Sequence, residues 1–113
     1  VVGQPRMHFA WRFAIDFAGG ELATLPPRAE VEPVITASRG VVEITSARPL
    51  DSINGYRAMF DIRPLDDSIE PIDLRLYLRR NGQPLTETWM YQWTPPSMRE
   101  RQLALQNAGA QTE

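Results

Sequence analysis

Catalytic or metal chemistry would have to come from one histidine and a set of carboxylates, because the chain contains no cysteine. The histidine, His8, stands alone, and neither an HxH nor an HExxH spacing occurs, so a histidine-based metal site is not expected. No GxSxG elbow and no phosphate-binding glycine loop is present either. We therefore predict a solvated His8, no catalytic residue, no metal and no other cofactor.

Paired carboxylates can perform acid–base chemistry even when they come from distant strands. Asp16, Asp61 and Asp73 alternate with apolar residues, so they are predicted to point outward, and Glu70 precedes a strand. Glu87 differs, because the alternation places it on an apolar face, where a carboxylate needs a partner or a shifted pKa. Two explanations besides catalysis stay open for Glu87: it lies at a sheet edge, or it contacts an arginine across a domain boundary.

Exposed aromatic side chains are the other candidates for function, because sugar-binding proteins stack pyranose rings on them. Tyr77 has an outward position between Arg75 and Arg79 and is the best candidate platform for a carbohydrate or a partner protein. The same three side chains can also be simple surface cover, since each has an apolar body and a polar tip. Four further aromatic residues have inward positions and are expected to be mostly core: Trp11, Trp89, Tyr91 and Trp93.

The charge pattern indicates neither a nucleic acid nor a membrane as partner. The net charge is −2 and all 12 basic residues are arginines, which are spread along the chain rather than gathered into the basic stripe that nucleic-acid binding requires. No stretch approaches the roughly 20 apolar residues of a membrane-spanning helix.

Apolar residues alternate with polar ones along most of the chain, which is typical of half-buried β-strands. The clearest examples are residues 8–18, 56–62 and 72–80. Asn81-Gly82 predicts a type I′ hairpin turn, because both residues tolerate positive φ. A two-residue turn there would pair four residues before it with four after it: Leu78 with Leu85, Leu76 with Glu87, Leu74 with Trp89, and Ile72 with Tyr91.

A second hairpin is predicted from two β-branched runs, Val31 to Ala37 and Val41 to Ala47, separated by Ser38-Arg39-Gly40. Pro33 places the first run at a sheet edge, because proline cannot donate to a β-ladder.

Six or seven short strands with closely spaced turns predict an all-β fold, an immunoglobulin-like antiparallel β-sandwich with a possible short C-terminal helix. The expected boundaries are an N-terminal linker over 1–7, the sandwich over 8–95, and a short helix with a disordered tail over 96–113. Ser97 and Glu100 form a possible capping box for that helix, which would run through Gln106 and leave residues from Asn107 onward disordered.

Several segments resemble one family. The strings RFAIDFAGGELATLPP (residues 12–27), VEPVITASRG (31–40), FDIRP (60–64) and RLYLRRNGQPLTETWMYQW (75–93) are, in order and spacing, similar to the C-terminal domain of the periplasmic glucan biosynthesis proteins G and D. The resemblance covers about Trp11 to Trp93.

The resemblance implies a periplasmic location in a Gram-negative bacterium and a role in making osmoregulated periplasmic glucans with a β-1,2-linked backbone. In that family a large N-terminal β-sandwich carries the glucan-active carboxylates, and an immunoglobulin-like domain follows it. The expected function is therefore an accessory domain, itself not an enzyme, that packs on or positions the N-terminal domain, with Glu87 as a candidate interdomain contact. The alternative is a carbohydrate-binding module that contacts glucan through Arg75, Tyr77 and Arg79.

Overall fold

The alternating segments form strands of two antiparallel sheets. The computed structural model describes residues 9–26 and 29–111; the predicted linker over 1–7 and His8 lie outside these ranges. The elements in chain order are β1 (Trp11–Ala18), β2 (Glu32–Ala37), β3 (Val41–Leu50), β4 (Gly55–Arg63), β5 (Ile72–Arg80), β6 (Gln83–Pro84), β7 (Trp89–Trp93) and α1 (Met98–Gln111), with short 3₁₀ turns at Gly20–Thr24 and Asp51–Ile53.

The strand order is that of an immunoglobulin-like sandwich. One sheet has the order β1-β4-β3, and the other has β2-β5-β6 with β7 also paired to β5. These orders match strands B-E-D and C-F-G of the constant-type immunoglobulin fold. The predicted fold class is confirmed.

The prediction that residues 31–47 form a hairpin is wrong. β2 pairs with β5 and β3 pairs with β4, so the turn at Ser38-Arg39-Gly40 carries the chain from one sheet to the other. Two neighbouring β-branched strands look alike whether they pair or face each other across a core, so the local pattern could not separate these cases. Pro33 does lie in an edge strand, as predicted.

The core lies between the central strands β4 and β5. Every second residue of each of these strands faces inward. A stacked aromatic pair, Phe13 and Phe60, joins β1 to this core with ring centroids 5.2 Å apart. Burial of each large apolar side chain contributes about 1.5–3 kcal/mol, which accounts for stability without disulfides. The buried residues are Leu22, Tyr56, Ala58, Phe60, Ile62, Ile72, Leu74, Leu76, Leu78 and Trp93.

The C-terminal helix begins as predicted but is longer. The Glu100 backbone N–H donates to Ser97 Oγ (3.3 Å), and that hydroxyl donates to Glu100 Oε1 (3.1 Å), so Ser97 caps the helix. The helix continues to Gln111, beyond the predicted end at Gln106. Ala108 and Ala110 are strong helix formers, which favours this extension.

Candidate contact surfaces

The three residues of the predicted platform lie together on the outer face of the β2-β5-β7 sheet. Arg75 is exposed, whereas Tyr77 and Arg79 are only half-exposed. Tyr77 lies directly opposite Val34 of β2, and Arg75 lies between Thr36 and Met90 of the flanking strands. The structure thus brings the three together, but the tyrosine ring is partly covered rather than an open platform.

Arg79 is engaged in an ion pair within the sheet. Its Nη2 donates to Glu32 Oε2 at 3.1 Å, and this hydrogen bond, with the Coulombic attraction of Glu32 and smaller contributions from Tyr77, raises the pKa of Arg79. By contrast, no carboxylate of the described residues lies within ion-pair distance of Arg75. Arg75 is therefore the member of the platform whose charge is available to a ligand.

Glu87 does not lie on the apolar face, so the prediction of its inward position is wrong: its side chain is exposed. The turn itself is as expected, with φ of 52° at Asn81 and 76° at Gly82, and the Leu85 N–H bonds the Leu78 carbonyl at 2.8 Å. Beyond Leu85, however, the register moves by two residues. Leu76 faces Trp89, Leu74 faces Tyr91 and Ile72 faces Trp93.

A threonine hydroxyl explains this two-residue shift. Thr86 Oγ1 accepts a hydrogen bond from the Leu78 backbone N–H (3.0 Å) and donates one to the Glu87 carbonyl (2.9 Å). The side chain thus takes the place of a ladder carbonyl, and the chain after Leu85 leaves the sheet until β7 pairs again at Trp89. Threonine and serine often replace backbone partners in this way, but the sequence alone does not say where.

Two of the aromatic residues predicted as core are exposed. Trp93 is buried and Trp89 half-buried, but Trp11 is 46% and Tyr91 49% exposed. β1 and β7 are edge strands of opposite sheets. Their inward-facing side chains therefore lie at the margin of the core, where only part of each ring is covered. Phe13 fills the gap between them, with ring centroids 5.9 to 6.1 Å from those of Trp89, Tyr91 and Trp93.

Three of the candidate catalytic carboxylates, Asp16, Asp61 and Asp73, are partners of basic or amide groups on strand surfaces. Asp61 accepts from Arg12 (2.8 Å) and Asp16 from Arg57 (2.8 Å), each in a bidentate pair, while Gln92 donates to Asp73 at 3.3 Å. The hydrogen bond from Arg57 lowers the pKa of Asp16, which favours its ionised form. A general acid needs a raised pKa, so this environment favours a structural ion pair.

Arg101 has a role that the sequence did not indicate. Its side chain is buried at 5% exposure, and its guanidinium donates to three backbone carbonyls, those of Pro96 (2.8 Å), Asp66 (2.5 Å) and Ser68 (3.0 Å). It also lies over the Phe9 ring, 5.7 Å from the centroid. This side chain connects α1 to the β4–β5 loop and to the chain that leads into β1. An arginine in a polar helix gives no pattern by which to find it.

Neither a metal centre nor a membrane-spanning helix is found in residues 9–26 and 29–111. No group of three or more metal-binding side chains occurs there, and α1 is too short and too polar to cross a bilayer.

The strand order and the buried core define an immunoglobulin-like β-sandwich domain. Residues 2–93 match the family model described as "Periplasmic glucan biosynthesis protein, MdoG". The chain belongs to this family.

Curated relatives agree with this family. The chain is 63% identical over 105 residues to glucans biosynthesis protein D of Xanthomonas axonopodis pv. citri, covering 91% of this chain. It is 64% identical over 109 residues, or 96% of this chain, to the probable glucans biosynthesis protein D of Shewanella oneidensis. With the protein D of Xylella fastidiosa it shares 59% identity over 106 residues, 91% of this chain. In each case the chain spans about a fifth of the relative's length (20%).

The family match ends at residue 93, before α1. The alignment with the Shewanella relative covers 96% of this chain and so includes most of α1.

Proposed function

We propose that this chain is an accessory domain of a longer periplasmic glucan biosynthesis protein, and that it packs on or positions the part that acts on glucan. The observation that carries the proposal is that a chain belonging to this family spans only about a fifth (20%) of its relatives. The pairing of Asp16, Asp61 and Asp73 with arginine or glutamine supports a role other than catalysis.

Separate expression tests this proposal. The 113-residue chain and the remainder of the parent protein are mixed, and association is followed by sedimentation velocity while cleavage of β-1,2-glucan is assayed for each part. We expect a complex to form and the chain alone to be inactive. An immunoglobulin-like domain from an unrelated protein is the control. Cleavage by the isolated chain, or no complex at high concentration, would contradict the proposal.

A second candidate function, direct glucan contact, is favoured by the exposed charge of Arg75 beside the half-exposed Tyr77 and by the exposed Met90 (67%) on the neighbouring strand. A guanidinium can donate several hydrogen bonds to sugar hydroxyls, while Tyr77 and Arg79 complete the candidate contact.

We expect NMR titration with linear β-1,2-glucan to shift resonances around Arg75 and Tyr77 if this face binds glucan. Arg75→Ala and Tyr77→Ala should then each remove the shifts. Arg48→Ala is the matched control, because Arg48 is an exposed arginine in β3 of the other sheet. Unchanged binding by the Tyr77→Ala variant would show that this assignment is wrong.

A further inference from the structure

An exposed apolar surface lies at the end of the sandwich where β1 begins and where β4 and β7 end. Four large side chains form it: Trp11 is 46% exposed, Leu65 66%, Ile69 58% and Met98 45%. We call these four residues the entry surface. Soluble proteins scatter single apolar residues over their surfaces, whereas clustered ones mark interaction sites.

The four residues belong to one continuous surface. Leu65 and Met98 line a groove with Phe9 and Arg101, and Trp11 and Ile69 line a second groove with Trp93 and the Pro95-Pro96 segment. Phe9 joins the two, since its ring centroid is 6.2 Å from that of Trp11 and it also packs under the Arg101 guanidinium. The exposed side chains are thus neighbours in space although they come from three separate segments.

The loop that carries Leu65 and Ile69 is held in place. Arg101 donates to the carbonyls of Asp66 and Ser68, and Arg39 bonds both the Asp66 carboxylate and the Glu70 carbonyl. These bonds fix the backbone while the two apolar side chains stay exposed. A preordered surface binds at a lower entropic cost than one that must order on contact.

We infer that the entry surface is where the preceding domain of the parent chain docks, an inference that rests on the proposed function. The relatives are about five times as long as this chain, and the family resemblance places this domain at their C-terminal end. The preceding chain therefore reaches the sandwich through Phe9, beside the entry surface. A tethered domain has a high effective concentration at sites near its attachment point.

The chemistry of the entry surface fits a protein better than a glucan. Three of the four side chains, Leu65, Ile69 and Met98, are aliphatic or thioether groups, which gain from packing against other apolar side chains and offer sugar hydroxyls no strong hydrogen-bond partner. Trp11 is the one ring of the entry surface on which a sugar could stack. The nearby hydroxyl and carboxylate of Ser97 and Glu100 already bond each other. The expected counterpart is thus an apolar patch on the preceding domain.

Hydrogen exchange in the full-length parent protein tests this inference. The isolated chain, which has its own core, is the reference state. We expect amides of residues 9–12 and 64–70 to exchange at least about tenfold more slowly in the full-length protein. In the full-length protein, Ile69→Asp should abolish this protection and separate a single thermal transition into two. Leu65→Asp serves as a second variant. Met90→Asp is the control, because Met90 (67% exposed) is about as exposed as Leu65 (66%) but lies on the outer face of the β2-β5-β7 sheet.

The outcomes separate this inference from the proposed function. Protection confined to another face, around Arg75 and Tyr77 or at Glu87, would overturn the entry surface and leave the accessory role standing. No protection anywhere would overturn both. If β-1,2-glucan protects residues 9–12 of the isolated chain and the preceding domain does not, the entry surface is a glucan site and the inference is wrong. Equal effects of Ile69→Asp and Met90→Asp would also overturn it.

Discussion

Replacing Gly55 by alanine is expected to lower the free energy of unfolding by about 3 kcal/mol, the upper part of the usual range for overpacking. Gly55 begins β4, the central strand of its sheet, and pairs with both Ala18 of β1 and Leu50 of β3. A Cβ atom at this position would lie 1.8 Å from the Phe17 carbonyl oxygen and 2.8 Å from the Ala18 Cα. These are backbone atoms of a paired strand, so they cannot move aside without breaking the β1–β4 ladder.

Urea denaturation followed by tryptophan fluorescence measures this loss. Gly82→Ala is the control, because a Cβ there meets nothing within 4 Å. The φ of +76° is unfavourable for alanine and should cost about 1–2 kcal/mol. A Gly55→Ala protein as stable as the Gly82→Ala protein would contradict the close approach of β1 and β4.

Replacing Arg101 by methionine is expected to lower the free energy of unfolding by about 2–3 kcal/mol, because hydrogen bonds to a charged group are lost. Methionine keeps the length and apolar body of the side chain but leaves the carbonyls of Pro96, Asp66 and Ser68 without their donor. We expect the β4–β5 loop and α1 to loosen first, since this guanidinium bonds them together.

Thermal unfolding and hydrogen exchange of the Arg101→Met protein test this expectation. Arg99→Met is the matched control, because Arg99 is exposed on the same helix turn and surface substitutions usually change stability by less than about 0.5 kcal/mol. Equal stability of the two variants, with unchanged exchange in residues 64–70, would show that Arg101 does not hold the β4–β5 loop against α1. In the full-length protein, loosening this loop should also weaken docking at the entry surface, which depends on the positions of Leu65 and Ile69.

Strand positions and the inward faces of the central strands could be read from the sequence because alternation is a local property. Each residue of β4 and β5 faces the side opposite to its neighbours, so the pattern specifies burial once a core exists on one side. The Asn81-Gly82 turn was equally predictable, since positive φ at two successive positions selects these residue types. The family was also recognisable, because the order and spacing of several segments are linear properties of the chain.

The sheet to which a strand belongs could not be read in this way. β2 and β3 have similar β-branched sequences, and the choice between pairing and facing across the core depends on β4 and β5, which are distant in sequence. The same holds for Glu87, whose position depends on a hydrogen bond between Thr86 Oγ1 and the Leu78 N–H. The shift inserts two residues before β7. Because side chains alternate with a period of two, the same residues of β7 still face inward, and the sequence pattern does not reveal the shift.

The sequence by itself determined the fold class, the residues that form the core of β4 and β5, and the family, because these follow from periodicity and segment order. Only the tertiary structure decided which surfaces are available for contact. Trp11 and Tyr91 are exposed because β1 and β7 are edge strands, Tyr77 is partly covered by its sheet neighbours, and Arg101 is buried because a loop some 35 residues away surrounds it. Exposure depends on what the rest of the chain places beside a residue, and that neighbourhood is not a property of the local sequence.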